Sequence, residues 1–176
     1  MQGIIGLVVG SVTFGLLVPA AFGLAPVLGQ DAATQPTPPP PAPWGARCAS
    51  ESRGAVPDCV VEQRVVMSNT GQLLVAVSIR IPPDTKEPVM LIQTPFGLHL
   101  PAGLKLAIDD AAIATLPLQT CDSNGCYAAQ VVSADLLGSL RRGNNLTVTF
   151  QDTAKRDIAV PVSLNGFTVA YQKIQG

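Results

Sequence analysis

Beyond residue 43 the chain consists of short runs in which apolar residues return at every second position. Leu73, Val75, Val77 and Ile79 alternate in this way, as do Leu146, Val148 and Phe150 with Thr147 and Thr149 opposite them. A period of two is that of a strand with one buried face. The pattern predicts about nine strands, at 44–49, 59–67, 73–81, 89–94, 104–108, 127–133, 146–150, 158–162 and 167–171. Pro82-Pro83, Asn124-Gly125, Gly143-Asn144 and Asn165-Gly166 supply the turns between them. Around the breaks at Gly97, Pro101 and Gly103, the spacing of Leu98, Leu100, Leu104, Leu106 and Ile108 predicts one further apolar sheet face. One helix is expected, at 134–142. Ser133 caps it, Asp135 sits in its first turn, Arg141 and Arg142 in its last, Gly143 ends it, and Leu136, Leu137 and Leu140 form its apolar stripe. Short strands without intervening long helices predict an all-β fold, an antiparallel sandwich or barrel.

The N-terminal quarter reads differently. Residues 3–29 are apolar except for Ser11 and Thr13, with no Lys or Arg in or before them, and they are expected to form an apolar helix that meets a membrane. Two readings stay open. The stretch suits a spanning helix of ~20 residues and so an uncleaved anchor. Pro19 and Pro26 interrupt such a helix, and Val18-Pro19-Ala20 or Gly23-Leu24-Ala25 would serve a cleaved export signal. Either way the remainder is exported. Residues 30–43, with the run Pro38 to Pro41, predict an extended polyproline spacer. The expected organisation is a signal peptide or anchor at 1–29, a linker at 30–43 and a domain at 44–176.

Charge narrows the partners. Eleven Lys and Arg against twelve Asp and Glu leave a formal net charge of -1, so no basic field exists to attract nucleic acid. Four cysteines in an exported domain predict two disulfides. Cys121 and Cys126 bracket Asp122-Ser123-Asn124-Gly125, a turn in which Asn124 and Gly125 both tolerate positive φ, so these two are expected to pair. Cys48 and Cys59 then pair by elimination, helped by the turn at Pro57-Asp58. Zinc is disfavoured because there is no C-x-x-C and a single histidine. That histidine, His99, should lie opposite Leu98 and Leu100 and face solvent. Asp109-Asp110 and Asp122 lack a calcium-loop framework and read as turn acids. Arg64, Lys105, Arg141 and Arg142 are too scattered for an anion site. No catalytic, cofactor or metal residue is therefore expected. A disulfide across a tight turn lowers the entropy cost of presenting a loop, which makes Asp122, Ser123, Asn124 and Gly125 the candidate interaction loop.

The ordered set Trp44, Cys48, Cys59, Gln63, Pro95, Gly97, Leu100-Pro101, Gly103, Ile108-Asp109, Pro117, Cys121, Gly125-Cys126, Leu136-Leu137, Gly143 and Ser163-Leu164-Asn165-Gly166-Phe167 resembles the invasion-associated locus B family of exported bacterial proteins. The resemblance covers nearly all of residues 44–174. It implies an immunoglobulin-like antiparallel β-sandwich in the periplasm or on the outer surface, and offers no catalytic residues to carry over. The long apolar N-terminus without basic residues and the Pro run depart from the family pattern. The expected function is that of a non-enzymatic envelope module that binds a protein or cell-surface partner, with membrane association through residues 3–29 and an association with host-cell invasion implied by the resemblance. A structural envelope protein and a hydrolase with an unrecognised site are the alternatives.

Overall fold

The computed structural model describes residues 44–50, 52–55 and 57–175. The expected apolar helix at 3–29 and the spacer at 30–43 lie outside them. Among the described residues ten strands run in chain order as β1 (Gly45–Ala49), β2 (Asp58–Val66), β3 (Leu73–Arg80), β4 (Val89–Thr94), β5 (Leu104–Ile108), β6 (Ala111–Leu116), β7 (Thr120–Asp122), β8 (Gly125–Val131), β9 (Asn145–Gln151) and β10 (Asp157–Ser163). Helix α1 (Ala134–Arg142) lies between β8 and β9, and α2 (Phe167–Gln172) follows β10. The strands form a six-stranded sheet in the order β1-β2-β3-β4-β8-β7 and a four-stranded sheet in the order β10-β9-β5-β6. Every pairing is antiparallel. Two antiparallel sheets face to face are the immunoglobulin-like layer arrangement expected. Among the described residues no helix is long and apolar enough to cross a membrane.

The alternating runs become the inner faces. Val75, Val77 and Ile79 of β3 meet Leu104, Leu106, Leu146 and Val148 of the opposite sheet in one core, each at most 1% exposed. The β5–β6 turn is Asp109-Asp110, with φ of 46° and 69°. Both central residues are left-handed, the requirement of a two-residue turn that follows the strand twist. The Asp109 carboxylate also accepts hydrogen bonds from the backbone N–H groups of Asn144 and Asn145, at 2.9 Å for the shortest contact to each. It thereby ties this hairpin to the start of β9.

Helix α1 has the bounds expected. Ser133 Oγ accepts the Leu136 N–H at 3.2 Å, Asp135 and the two arginines occupy opposite dipole ends, and Leu136 and Leu140 are buried. Residues 167–171, by contrast, are helical and not a strand. Gly166, at φ 81°, turns the chain into α2, whose residues Phe167, Ala170 and Tyr171 are buried together with Ile174. That i, i+3, i+4, i+7 spacing packs one helical face. Phe167 lies 5.0 Å from Trp44 edge to face and 5.6 Å from Tyr171, and the Trp44 Nε1–H donates to the Ser163 carbonyl at 2.9 Å. Packing of these rings overrides the strand preference of aromatic and β-branched residues.

Two further differences concern the predicted apolar face and the missed strands. Leu98 makes a lone bridge to Asp152 and packs half-buried against the core, while Leu100 begins a 3-10 turn (Leu100–Ala102) and is exposed, so of the five only Leu104, Leu106 and Ile108 are buried from a strand. Strands β6 and β7 were not expected, because Ala-rich and three-residue segments show too little apolar alternation to register.

The cross-strand registers place the ends of β3, β5, β8 and β10 together, and α1 and α2 close that end. The Cys48–Cys59 disulfide lies there, and the β7–β8 hairpin lies at the other end.

Candidate functional site

The site is built on the β7–β8 hairpin. Cys121 and Cys126 are register partners with Cα atoms 4.0 Å apart and form a disulfide, as do Cys48 and Cys59; no described cysteine is free. Ser123 and Asn124 are the two loop residues, closed by the pair Asp122 and Gly125. The positive φ expected at Asn124 and Gly125 falls on Gly125 alone, at 150°. A Cβ there would lie 2.2 Å from the Thr94 carbonyl oxygen, so the hairpin approaches β4 at a distance that only glycine permits. Asn124 is held instead through Asp122, whose Oδ1 accepts the Asn124 N–H at 2.7 Å in an Asx turn.

Three more bonds fix the hairpin to the sheet. The Tyr127 hydroxyl donates to Asp122 Oδ1 at 3.1 Å, Gln93 Nε2 donates to the Asn124 carbonyl at 2.9 Å, and the buried Thr94 Oγ1 donates to the Cys126 carbonyl at 3.1 Å. The Asn124 backbone N–H holds the Asp122 carboxyl below the ordinary carboxylate range, opposed by partial desolvation and reinforced by the Tyr127 hydroxyl. Desolvation, and then Asp122, push the Tyr127 hydroxyl up. The pair thus keeps one protonation state across physiological pH, a carboxylate accepting from a phenol.

The outer face of the six-stranded sheet continues the site. Register aligns Arg64, Ala76, Gln93, Tyr127 and Thr120 in one row across five strands. Arg64, Leu73, Gln93, Asn124 and Tyr127 line a recess of about 300 Å³. In the adjoining row lie Glu62, Ser78, Leu91 and Ala129. Glu62 pairs with Arg47 at 3.1 Å and Arg64 at 3.4 Å. Exposed pairs of this kind orient side chains and contribute no more than ~1 kcal/mol each. The result is a rigid surface of mixed polarity with an aromatic ring at its edge. Sequence reasoning singled out the loop as a candidate, set Arg64 aside among scattered cations, and passed over Gln93, Tyr127 and Leu91. The two adjoining rows in which they stand depend on register between strands, which no single stretch of chain shows.

The remaining sequence candidates fall elsewhere. His99 does not face solvent from a strand. It is half-buried ahead of the 3-10 turn, its N–H donates to the Gln151 carbonyl at 2.8 Å, and its Nδ1 is buried with no hydrogen-bond partner among the described residues. Arg141 lies 5.4 Å from the Tyr171 ring and donates to Gln175, while Lys105 pairs with Asp157 at 3.2 Å. Among the described residues no three His, Cys, Asp or Glu side chains are grouped to hold a metal ion.

Comparison with known proteins agrees with this architecture. The family model described as Invasion associated locus B (IalB) protein matches residues 44–175. Invasion protein B homologs of Brucella abortus, from strain 2308 and from biovar 1 strain 9-941, are each 32% identical over 133 residues, covering 75% of this chain and 75% of the relative. The crystal structure of invasion associated protein B from Bartonella henselae superposes with a TM-score of 0.65 at 21% identity, over 77% of this chain and 93% of that one, and shares its fold. With a family model spanning the whole sandwich and curated relatives at this identity, the chain belongs to the invasion-associated locus B family.

Proposed function

We propose that the protein is an exported envelope protein that works by binding and not by catalysis, and that it presents the Asp122 to Gly125 hairpin and the adjoining outer sheet face to a protein or cell-surface partner. The observation that carries this reading is the order built into the hairpin before any partner arrives. A disulfide, an Asx turn and the Gln93, Thr94 and Tyr127 bonds fix the Asp122 to Gly125 turn beside a sheet face that no described element covers. Such a loop loses little conformational entropy on binding, which favours affinity. Two disulfides in a domain of this size support an oxidising compartment, either the periplasm or the outer surface. The apolar residues 3–29 would deliver the chain there and provide membrane association. The names of the relatives, invasion proteins, support a partner met at the cell surface.

Site-directed photocrosslinking in intact cells tests the reading. A photoreactive residue in place of Ser123 or Leu91 should give a discrete protein adduct, while the same probe in place of Lys105, on the opposite sheet, should not. Adducts from position 105 with none from 91 or 123 would refute the proposal.

A further inference from the structure

Strand β8 is paired far less on one side than on the other. β4 accompanies it from Cys126 to Val131, whereas β7 pairs only with Gly125, Cys126 and Tyr127. The backbone N–H and C=O groups of successive strand residues point to opposite edges. The Val132 N–H donates to the Pro88 carbonyl on the β4 side, and the Tyr127 carbonyl accepts the Gln119 N–H on the β7 side, each at 2.8 Å. Ala129 and Val131 share the parity of Tyr127, so their backbone groups face an edge where no strand continues β7. The Ala129 carbonyl is met there by a side chain instead, Gln119 Nε2 at 3.4 Å. The Ala129 N–H and both backbone groups of Val131 have no partner among the described residues. The notch from Ala129 to Val131 spans about 10 Å at the rise of a strand. Gln119 bounds it at one end and Ser133, the cap of α1, at the other.

This edge carries none of the guards that stand on the others. Arg47 lies on β1, Pro161 interrupts β10, and the register of β6 shifts opposite Leu106 and Ala107: a charge, a proline and a bulge, each of which deters an added strand. Ala129, Gln130 and Val131 are uncharged, and Val131 is 53% exposed on the outer face. On the inner side Gln130 lines a recess of about 260 Å³ with Ile113, Ser133, Asp135, Leu136 and Ser139. Both serine hydroxyls are engaged by the backbone of α1. Neither end of the Gln130 amide has a hydrogen-bond partner among the described residues, and its Oε1 is buried. An unmet buried acceptor is costly, and rotation about the terminal torsion turns either end of the amide toward the notch. In a strand laid antiparallel on this edge, the residues opposite Ala129 and Val131 exchange backbone bonds and point outward with them. The residue between points inward beside Gln130, at the closest cross-strand spacing. A second amide matches the donor and acceptor of Gln130, which a carboxylate or an ammonium does only in part, and Asp135 further repels a carboxylate.

We propose that the notch binds an extended segment of a partner protein as an added strand in line with β7, with a glutamine or asparagine facing Gln130 and an apolar residue on either side of it. Its confinement between Gln119 and α1 admits a loop or terminus, whereas the edge of a second folded sheet would meet β7. The notch is separate from the Asp122 to Gly125 loop, and its failure would leave the hairpin reading untouched. The experiment titrates the isotope-labelled protein, as isolated from cells, with a blocked pentapeptide, threonine-valine-glutamine-valine-threonine, and follows the backbone amides by NMR. Two control peptides carry N-methyl groups on both valines, or glutamate in place of glutamine. With the parent peptide the Ala129 and Val131 amide signals should shift saturably and exchange more slowly with solvent. Each control should bind roughly tenfold more weakly, through lost backbone bonds in one and an unmatched amide in the other. Val131→Pro removes a donor that β4 does not use, and should weaken the parent peptide by a similar factor. A control that binds as tightly as the parent would overturn the proposal without recourse to any variant. So would shifts centred on Ser123, or no saturable shift at millimolar peptide. Slow exchange of the Ala129 and Val131 amides in a dimer of the chain alone would also overturn it, since a second copy would then fill the notch.

Discussion

Helix α2 yields a sharp test, because a strand and a helix at 167–171 bury different side chains. In a strand, Phe167, Val169 and Tyr171 would share one face. In α2, Phe167, Ala170 and Tyr171 are buried and Val169 is 62% exposed. Phe167 is fully buried against the rings of Trp44 and Tyr171. Its replacement by alanine removes the transfer free energy of a benzyl group and leaves a cavity between two aromatic neighbours, at a cost of about 3–5 kcal/mol. Val169→Ala on the exposed face should fall within about 0.5 kcal/mol. A buried valine in a strand would instead cost about 2 kcal/mol for its two methyl groups and the space they leave. Urea denaturation followed by circular dichroism measures both, provided the slope with denaturant stays constant between variants. At about 2–4 °C per kcal/mol, the melting temperature should drop by roughly 6–20 °C for Phe167→Ala and by no more than about 2 °C for Val169→Ala. A loss above about 1.5 kcal/mol at Val169, or below about 1 kcal/mol at Phe167, would refute the helical packing.

Three further predictions concern the hairpins and disulfides. Gly125→Ala places a Cβ against the Thr94 carbonyl at a φ closed to alanine and should cost about 2–4 kcal/mol, against less than about 0.5 for Ser123→Ala; equal denaturation midpoints would show that the hairpin stands off β4. On the chain-entropy model, loss of Cys48–Cys59, with a separation of 11, should cost about 3 kcal/mol, and loss of Cys121–Cys126, with a separation of 5, about 2. The reverse order in paired serine variants would mean that the hairpin bridge does more than close its loop. The Asn144 and Asn145 N–H groups hold the Asp109 carboxyl below its ordinary range. Its stabilising share is therefore complete above the unfolded value near ~3.9 and is lost as pH falls through the lower folded value. Asp109→Asn should flatten the fall in melting temperature below about pH 4 while leaving the profile above pH 5 parallel to the parent, and identical acid limbs would contradict this assignment.

The sequence by itself determined the features whose signals span a few residues. Alternation at Leu73 to Ile79 and Leu146 to Phe150 specified strands with one buried face, because a side-chain period of two has one meaning for a chain that must bury apolar surface. Ser133, Asp135 and Gly143 marked α1 because capping bonds are made between neighbours in the chain. The hairpin cysteines were legible because a two-residue loop leaves its flanking residues opposite one another. Tertiary structure decided what depends on distant groups. Phe167 to Tyr171 suit either a strand or a helix by composition, and the position of Trp44, more than a hundred residues earlier in sequence, selected the helix. His99 is half-buried because Leu98 bridges to Asp152 and its own N–H reaches Gln151, neither of which local spacing reveals. Arg64, Gln93 and Tyr127 come together on one face through strand register. Those arrangements are set by the packing of the whole core, in which each contact is chosen against all the others at once, and no short stretch of chain carries that information.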